Sequence, residues 1–256
     1  MRRNGLPPSR SDMSLASDLV SAAMLLTRLP VRGTPTPEAA RAAWAWPLVG
    51  AGVGLVAGLA GWAAQALGFQ VALAAGLALA TSVVLTGALH EDGLADLADG
   101  FWGGFERTRR LEIMRDSRIG AYGVIALTLS LLVRWSLLVT ALDHGALVAV
   151  MVAAGAVSRA PMAVLMRWLP PARADGLARG AGTPTRTALW TGLAIAAAAL
   201  LFHGPAAALL TAALIAATAI GLGLLARAKI GGQTGDVLGA CQQLCEIAAL
   251  AALTAR

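Results

Sequence analysis

Long apolar segments alternate with short polar ones along almost the whole chain, and this pattern predicts membrane-spanning helices. Most of these segments approach the roughly 20 residues that a helix needs to cross a bilayer. A shorter segment at 13–29 is interrupted by Asp18 and is predicted to be a short or interfacial helix. The predicted spans are 47–67, 71–90, 119–142, 146–166, 187–202, 205–226 and 237–253. The sequence therefore predicts one all-α integral membrane domain over 1–256, a polytopic bundle of about seven spans, with 1–12 as an extension.

Composition and charge agree with a membrane protein. The chain is 57% hydrophobic and only 13% charged, against roughly 25% charged in soluble domains. Its net charge of +6 would suggest nucleic acid in a soluble protein. Here the arginines concentrate in the long loops and are missing from the short ones, so nucleic acid is not an expected partner. The lipid bilayer is, and the basic loops are expected to face the cytoplasm.

The tryptophans and the small residues refine this picture. Trp44, Trp46, Trp168 and Trp190 lie near the predicted cytoplasmic interface, as an aromatic belt would. Alanine and glycine are abundant and allow helices to approach closely. The same small residues permit a homo-oligomer without requiring one.

The most informative polar segment is 90–100, directly after the second predicted span. Asp92, Asp96 and Asp99 share one helical face, and carboxylates this close repel one another unless a cation lies between them. No arginine lies within one turn of the three. Seven of the 14 acidic residues fall between Glu91 and Asp116. Hard oxygen ligands indicate Mg²⁺ or Mn²⁺.

His90 precedes these carboxylates, and two roles are open to it. It could assist proton transfer from an attacking hydroxyl. The favoured interpretation is a hydrogen-bonded residue that supports the metal ligands.

A second polar segment, 109–120, adds both acidic and basic candidates. Glu112 and Asp116 are spaced i, i+4 and are predicted to share a helical face. Arg115 and Arg118 are close enough to clamp phosphate groups. The alternative is that Glu112 and Asp116 simply pair with neighbouring arginines in a solvated loop.

A third segment, 229–236, is a glycine-rich turn that opens the last predicted span. Backbone N–H groups around Gly232, Thr234 and Gly235 are suited to binding an anion. The same pattern, capped by Asp236, is also an ordinary helix start. Its predicted position on the same membrane face as the acidic segment favours a functional role.

Three charged residues lie inside predicted spans: Arg134, Arg159 and Glu246. Intramembrane charges are either functional or paired with one another. Glu246 is a candidate counter-ion for either arginine.

In order along the chain, several segments resemble the cobalamin synthase family, the adenosylcobinamide-GDP ribazoletransferases. They cover most of the chain, and one small departure is Leu97, where the family has a small polar residue. The segments are TRLPV at 27–31, WPLVG at 46–50, GALHEDGLAD at 87–96, LEIMRDSRIGAYG at 111–123, ARADGL at 172–177 and GGQTGDVLGA at 231–240.

The resemblance implies a Mg²⁺-dependent enzyme of the cytoplasmic (inner) membrane. It would join α-ribazole, or its 5′-phosphate, to adenosylcobinamide-GDP and release GMP, giving adenosylcobalamin or its 5′-phosphate. With the predicted topology, the active site would face the cytoplasm.

The residues expected to carry this reaction fall into three groups. The expected catalytic residues are His90, Asp92 and Asp96. The expected metal ligands are Glu91, Asp92, Asp96, Asp99, Glu112, Asp116 and Asp236. The expected phosphate-binding residues are Arg115, Arg118, Arg173, Gly232, Thr234 and Gly235.

Three other functions share part of this pattern. A CDP-alcohol phosphotransferase also displaces a nucleoside monophosphate, but its motif requires an arginine where Asp96 stands. An intramembrane aromatic prenyltransferase has two facing acidic motifs but no counterpart of the 231–236 turn. A cation-coupled transporter would place its carboxylates in mid-membrane on broken helices rather than at one mouth.

Overall fold

The computed structural model describes residues 15–36, 39–173 and 181–255, so the extension predicted over 1–12 lies outside the described residues. These residues form helices and carry no strand. The helices are α1 Leu15–Leu26, α2 Trp46–Ala66, α3 Val71–Thr86, α4 Leu89–Gly103, α5 Arg107–Ile113, α6 Ala121–Asp143, α7 Leu147–Val157, α8 Ala160–Trp168, α9 Arg186–Ala198, α10 Pro205–Ile230 and α11 Gly235–Thr254. A 3-10 turn at Ala39–Ala45 leads into α2, and another at Leu201–His203 follows α9.

Six described segments are long and apolar enough to cross a bilayer, and α3 with α4 makes a bent seventh. This confirms the prediction of an all-α polytopic bundle of about seven spans. The N-terminal helix α1 has 12 residues, too few to cross a bilayer alone. It packs against the 3-10 turn before α2, where its Asp18 accepts hydrogen bonds from Thr36 Oγ1 and Trp44 Nε1.

The second predicted span differs from the prediction because the chain turns sharply at its end. Gly87 and Ala88 have φ of 63° and 56°, in the left-handed region, which ends α3 at Thr86. Helix α4 then runs at 87° to α3. The acidic segment is therefore a separate helix that packs against α6 and α11.

Glycines hold α2 and α7 in direct backbone contact. A Cβ at Gly50 would overlap the carbonyl oxygen of Gly155, and a Cβ at Gly54 would overlap that of Met151. Helices in a bilayer gain little from burying apolar surface against each other, so close packing at small residues supplies much of their association. The glycine spacing in α2 thus fixes its position against α7.

A buried ionic network connects α4, α6 and α11. Arg134 of α6 is 2% exposed, and its Nη1 donates to Glu91 Oε1 at 2.8 Å. Its Nη2 donates to Glu246 Oε1, also at 2.8 Å. Arg159 lies 3.9 Å from Glu246, and Gln243 accepts a hydrogen bond from Arg134. The predicted pairing of the intramembrane charges is confirmed, with Glu246 shared by both arginines.

One of the four tryptophans predicted to form the aromatic belt, Trp46, is buried instead. Trp168 and Trp190 are exposed, but Trp46 is only 3% exposed. It begins α2 and faces the interior of the bundle, so it is not part of a lipid-facing belt.

Substituting Gly54 with alanine is expected to destabilise the protein by about 1–3 kcal/mol, because the added methyl group must force α2 and α7 apart. Gly52→Ala is the matched control, since a Cβ there meets nothing within 4 Å. Thermal unfolding of both variants in detergent measures the difference. Equal melting temperatures would contradict the proposed packing role.

Replacing Arg134 with methionine is expected to cost about 3–5 kcal/mol, because it leaves Glu91 and Glu246 buried without their main cation. Arg109→Met removes an exposed arginine that pairs with Glu112 and should leave stability unchanged. Unfolding in mixed detergent micelles compares the two. An Arg134→Met variant as stable as the parent would show that the network does not hold the helices together.

Candidate active site

Close contact between α4 and α11 brings acidic residues of both helices together. A Cβ on Gly93 would lie 3.0 Å from the carbonyl oxygen of Asp236, and one on Gly239 would lie 3.3 Å from His90 Cα. The absence of side chains at these two positions lets the backbones approach. As a result, Asp92 and Asp96 of α4 lie near enough to Asp236 of α11 to interact electrostatically.

The carboxylates of Asp92, Asp96 and Asp236 form what we call the carboxylate cluster. Asp92 is exposed, and the other two are partly buried. Asp236 Oδ2 accepts a hydrogen bond from Thr234 Oγ1 at 3.1 Å and lies 3.8 Å from Arg173 Nη1. One nearby guanidinium does not balance three carboxylates, so the cluster favours a cation.

The donor set of the cluster fits Mg²⁺ that is completed by a substrate. Among the described residues, no three His, Cys, Asp or Glu side chains are grouped closely enough to hold a metal alone. Mg²⁺ is usually bound by one or two carboxylates, with waters and substrate phosphates filling the remaining positions. Asp92 and Asp96, one helical turn apart, supply such a pair.

Asp99 has a different environment from the other two aspartates of α4. It is 6% exposed, and its two carboxylate oxygens accept hydrogen bonds from Gly120 N at 2.7 Å and Gly123 N at 2.9 Å. These amides belong to the first turn of α6, where backbone N–H groups lack helical partners. Asp99 therefore joins α4 to the start of α6, and its role as a metal ligand stays a prediction.

The remaining predicted carboxylate ligands have arginine partners. Glu91 belongs to the buried network around Arg134. Glu112 pairs with Arg109 at 3.1 Å, and Asp116 pairs with Arg118 at 2.6 Å. Glu112 and Asp116 thus agree with the alternative interpretation of the sequence, in which both pair with neighbouring arginines.

The predicted shared face of Glu112 and Asp116 is wrong, because α5 ends at Ile113. Asp116 lies in the following turn, where the side chain and backbone N–H of Arg118 donate to it. These bonds lower the pKa of Asp116 to about 2. Its carboxylate is therefore charged throughout the range in which an enzyme assay is made.

His90 lies between the carboxylate cluster and the buried network. It is 2% exposed, and its Nε2 has no hydrogen-bond partner within the described part of the chain. It lines the narrow cavity of the network and a larger cavity beside Asp92. Neither of its two predicted roles is decided by this placement.

Arginines line a cavity of about 310 Å³ next to the cluster. They are Arg107, Arg115 and Arg173, and Arg173 also reaches Asp236. Arg107 was not predicted from the sequence, and its guanidinium also donates to the backbone carbonyls of Ile230 and Ala172. Arg118 does not line this cavity. Through Arg173, the positively charged lining of the cavity reaches the carboxylate cluster.

The glycine-rich turn positions Arg173 rather than simply opening a helix. A Cβ on Gly232 would overlap the carbonyl oxygen of Pro170. Without one, Gln233 N donates to Pro170 O at 2.9 Å, and Ala172 N donates to Gln233 O at 2.8 Å. This pairing holds the segment before Arg173 against the start of α11.

The cap of α11 also differs from the expectation. Thr234, not Asp236, is the N-cap, and its Oγ1 accepts a hydrogen bond from Val237 N. Asp236 is thereby left within the carboxylate cluster. Gly235 is exposed and has no neighbour within 4 Å of its Cβ position. Anion binding by this turn stays a prediction.

Comparison with known proteins agrees with the resemblance noted in the sequence. Residues 18–254 match the family described as cobalamin-5-phosphate synthase. A relative from Mesorhizobium japonicum is 43% identical over 245 residues, covering 94% of this chain and 93% of the relative. One from Bradyrhizobium diazoefficiens is 44% identical, covering 96% of each chain. Both are named adenosylcobinamide-GDP ribazoletransferase.

No solved structure matches the chain. The family match nevertheless extends across every spanning helix, the carboxylate cluster and the glycine-rich turn. The relatives align with the chain almost end to end. The chain therefore belongs to the cobalamin-5-phosphate synthase family.

Proposed function

We propose that this chain is a multi-pass membrane transferase that joins α-ribazole, or its 5′-phosphate, to adenosylcobinamide-GDP and releases GMP. The observation that carries the proposal is the carboxylate cluster next to the arginine-lined cavity. Acidic groups that can hold a divalent cation and basic groups that can hold phosphates are both needed to cleave a diphosphate. The names of the close relatives support the choice of substrates.

In the proposed reaction, a hydroxyl oxygen of the ribazole sugar bonds to the phosphorus attached to cobinamide. The bond from that phosphorus to the bridging oxygen breaks, and GMP leaves with this oxygen. Arg107, Arg115 and Arg173 hold phosphate oxygens through charge-assisted hydrogen bonds. Asp92 and Asp96 would hold Mg²⁺, with Asp236 beside them. When bound, Mg²⁺ would neutralise charge on the diphosphate.

The attacking hydroxyl must lose its proton during this step. His90 Nε2 is available to accept it, since it has no partner among the described residues and lines a cavity together with Asp92. The buried network beneath His90 keeps Glu91 occupied by Arg134.

The proposal places the site on the cytoplasmic side of the inner membrane. The loops at the site's end of the bundle are rich in arginine, while 67–70 and 144–146 at the other end carry neither lysine nor arginine. Basic loops face the cytoplasm. GDP-linked substrates are made there.

Asp92→Asn and Asp96→Asn are each expected to lower Mg²⁺-dependent GMP release about 100-fold or more, because each removes charge from the metal site. The control is Asp143→Asn, an exposed carboxylate at the other end of α6. GMP and the cobalamin product are measured with purified protein in liposomes, over a range of Mg²⁺ concentrations.

Folding of each variant is checked by its elution from size exclusion and its melting temperature. Full turnover by a folded Asp92→Asn or Asp96→Asn protein would remove these residues from the metal site. Turnover by the parent protein that is unchanged by chelation would remove the metal itself.

Arg173→Gln is expected to raise KM for adenosylcobinamide-GDP about tenfold or more, because a hydrogen bond to a charged phosphate is lost. KM for α-ribazole should stay unchanged. Arg109→Gln is the control, an arginine of α5 that pairs with Glu112 outside the cluster. Steady-state GMP release with each substrate varied in turn measures both values. Equal effects on the two KM values would argue against phosphate binding by Arg173.

A further inference from the structure

A second cavity, of about 220 Å³, adjoins the carboxylate cluster and is lined by none of the three arginines. Its walls come from α1, α2, α4, α8 and α11 and are mostly apolar. Asp92 and Asp236 stand on one side of it, so it opens toward the proposed reaction centre. Among the lining residues are Leu25, Trp46, Leu89, Met162, Met166 and Leu238.

Two polar atoms in the residues that line this cavity are unsatisfied. Trp46 Nε1 and His90 Nε2 are buried without a hydrogen-bond partner in the described residues. Leaving such an atom unpaired is costly, and an indole N–H can only donate. In the described part of the chain, no acceptor meets the N–H of Trp46. A ligand that is mostly apolar but carries one lone pair would accept the hydrogen bond from Trp46 Nε1.

We propose that this cavity binds the aromatic base of the second substrate, the dimethylbenzimidazole of α-ribazole, with its free ring nitrogen accepting a hydrogen bond from Trp46 Nε1. This inference rests on the proposed function. One nitrogen of that base carries the sugar and the other keeps its lone pair. The remaining surface is two fused rings and two methyl groups, which suit apolar walls and the polarizable sulfurs of Met162 and Met166.

The size and polarity of the cavity favour this base over the other candidates. It is smaller than the roughly 300–1,000 Å³ of sites that enclose a whole drug-sized ligand. It therefore has room for one substituent and not for a corrin. Guanine carries several donors and acceptors on its edges, and apolar walls would leave them unpaired. The position of Asp92 and Asp236 would then place the sugar of the bound ribazole against the carboxylate cluster.

The test combines a protein change with a matched substrate change. Trp46→Phe keeps an aromatic ring but removes the N–H, and we expect about a tenfold higher KM for α-ribazole with no change for adenosylcobinamide-GDP. The α-riboside of dimethylindole, which has C–H in place of the ring nitrogen, should show a similar rise in the parent protein. In Trp46→Phe this analogue should bind no worse than α-ribazole, because the hydrogen bond is already absent. The control is Trp190→Phe, an exposed tryptophan of α9.

Three results would overturn the inference. The first is an unchanged KM for α-ribazole in Trp46→Phe, and the second is a rise in the KM for adenosylcobinamide-GDP instead. The third is that the effects of Trp46→Phe and of the indole analogue on KM add up when the two changes are combined. If Trp46→Phe does not fold, equal KM values for α-ribazole and the indole analogue in the parent protein would also overturn it. Failure of the proposed function is distinguishable, because the parent protein would then release no GMP from adenosylcobinamide-GDP with either nucleoside.

Discussion

The structure depends above all on one buried cation, the guanidinium of Arg134. A charge held within a bilayer must be paired, and Arg134 takes one carboxylate from α4 and one from α11. Without α4 or α11, Arg134 would lose one of its two carboxylate partners. These ion pairs therefore fix the position of α4 against α6 and α11. Glu91 points into this network while its neighbour Asp92 is exposed. Adjacent carboxylates on a helix point in directions about 100° apart, and here one is buried in the ionic network while the other is exposed beside Asp96 and Asp236.

The second constraint is the close approach of α4 and α11 above this network. Gly93 and Gly239 remove the side chains that would separate the helices, and the turn at Gly87 and Ala88 directs α4 across the end of α3. Because of these glycines and this turn, Asp92 and Asp96 lie beside Asp236, which comes from a distant part of the chain. His90 then lies between two polar layers, the ionic network around Arg134 and the carboxylate cluster. The proposed reaction uses the second of these layers.

The sequence predicted the spans well because hydropathy is a local property, and the observed helices begin and end within several residues of the expected positions. It also selected Asp92, Asp96 and Asp236 as candidates, and the structure brings these three together. It did not predict the turn that ends α3, because Gly87 and Ala88 are as apolar as the residues around them. Nor did it predict that Glu91 pairs with Arg134, that Asp99 binds the first turn of α6, or that Trp46 is buried. Each of these depends on contacts between residues that are far apart in the chain, which periodicity cannot register.

Asp236 stands where three kinds of surface meet. The arginine-lined cavity reaches it through Arg173, the apolar cavity adjoins it directly, and the aspartates of α4 lie beside it. A diphosphate, a sugar hydroxyl and a cation therefore each have a suitable environment within one site. Neither adjoining cavity, at about 310 and 220 Å³, has room for a corrin. Under the proposed function, the corrin therefore stays outside both cavities, and the diphosphate is the part of that substrate that the arginines contact. The proposed site would thus act on a substrate that is too large to enter either cavity.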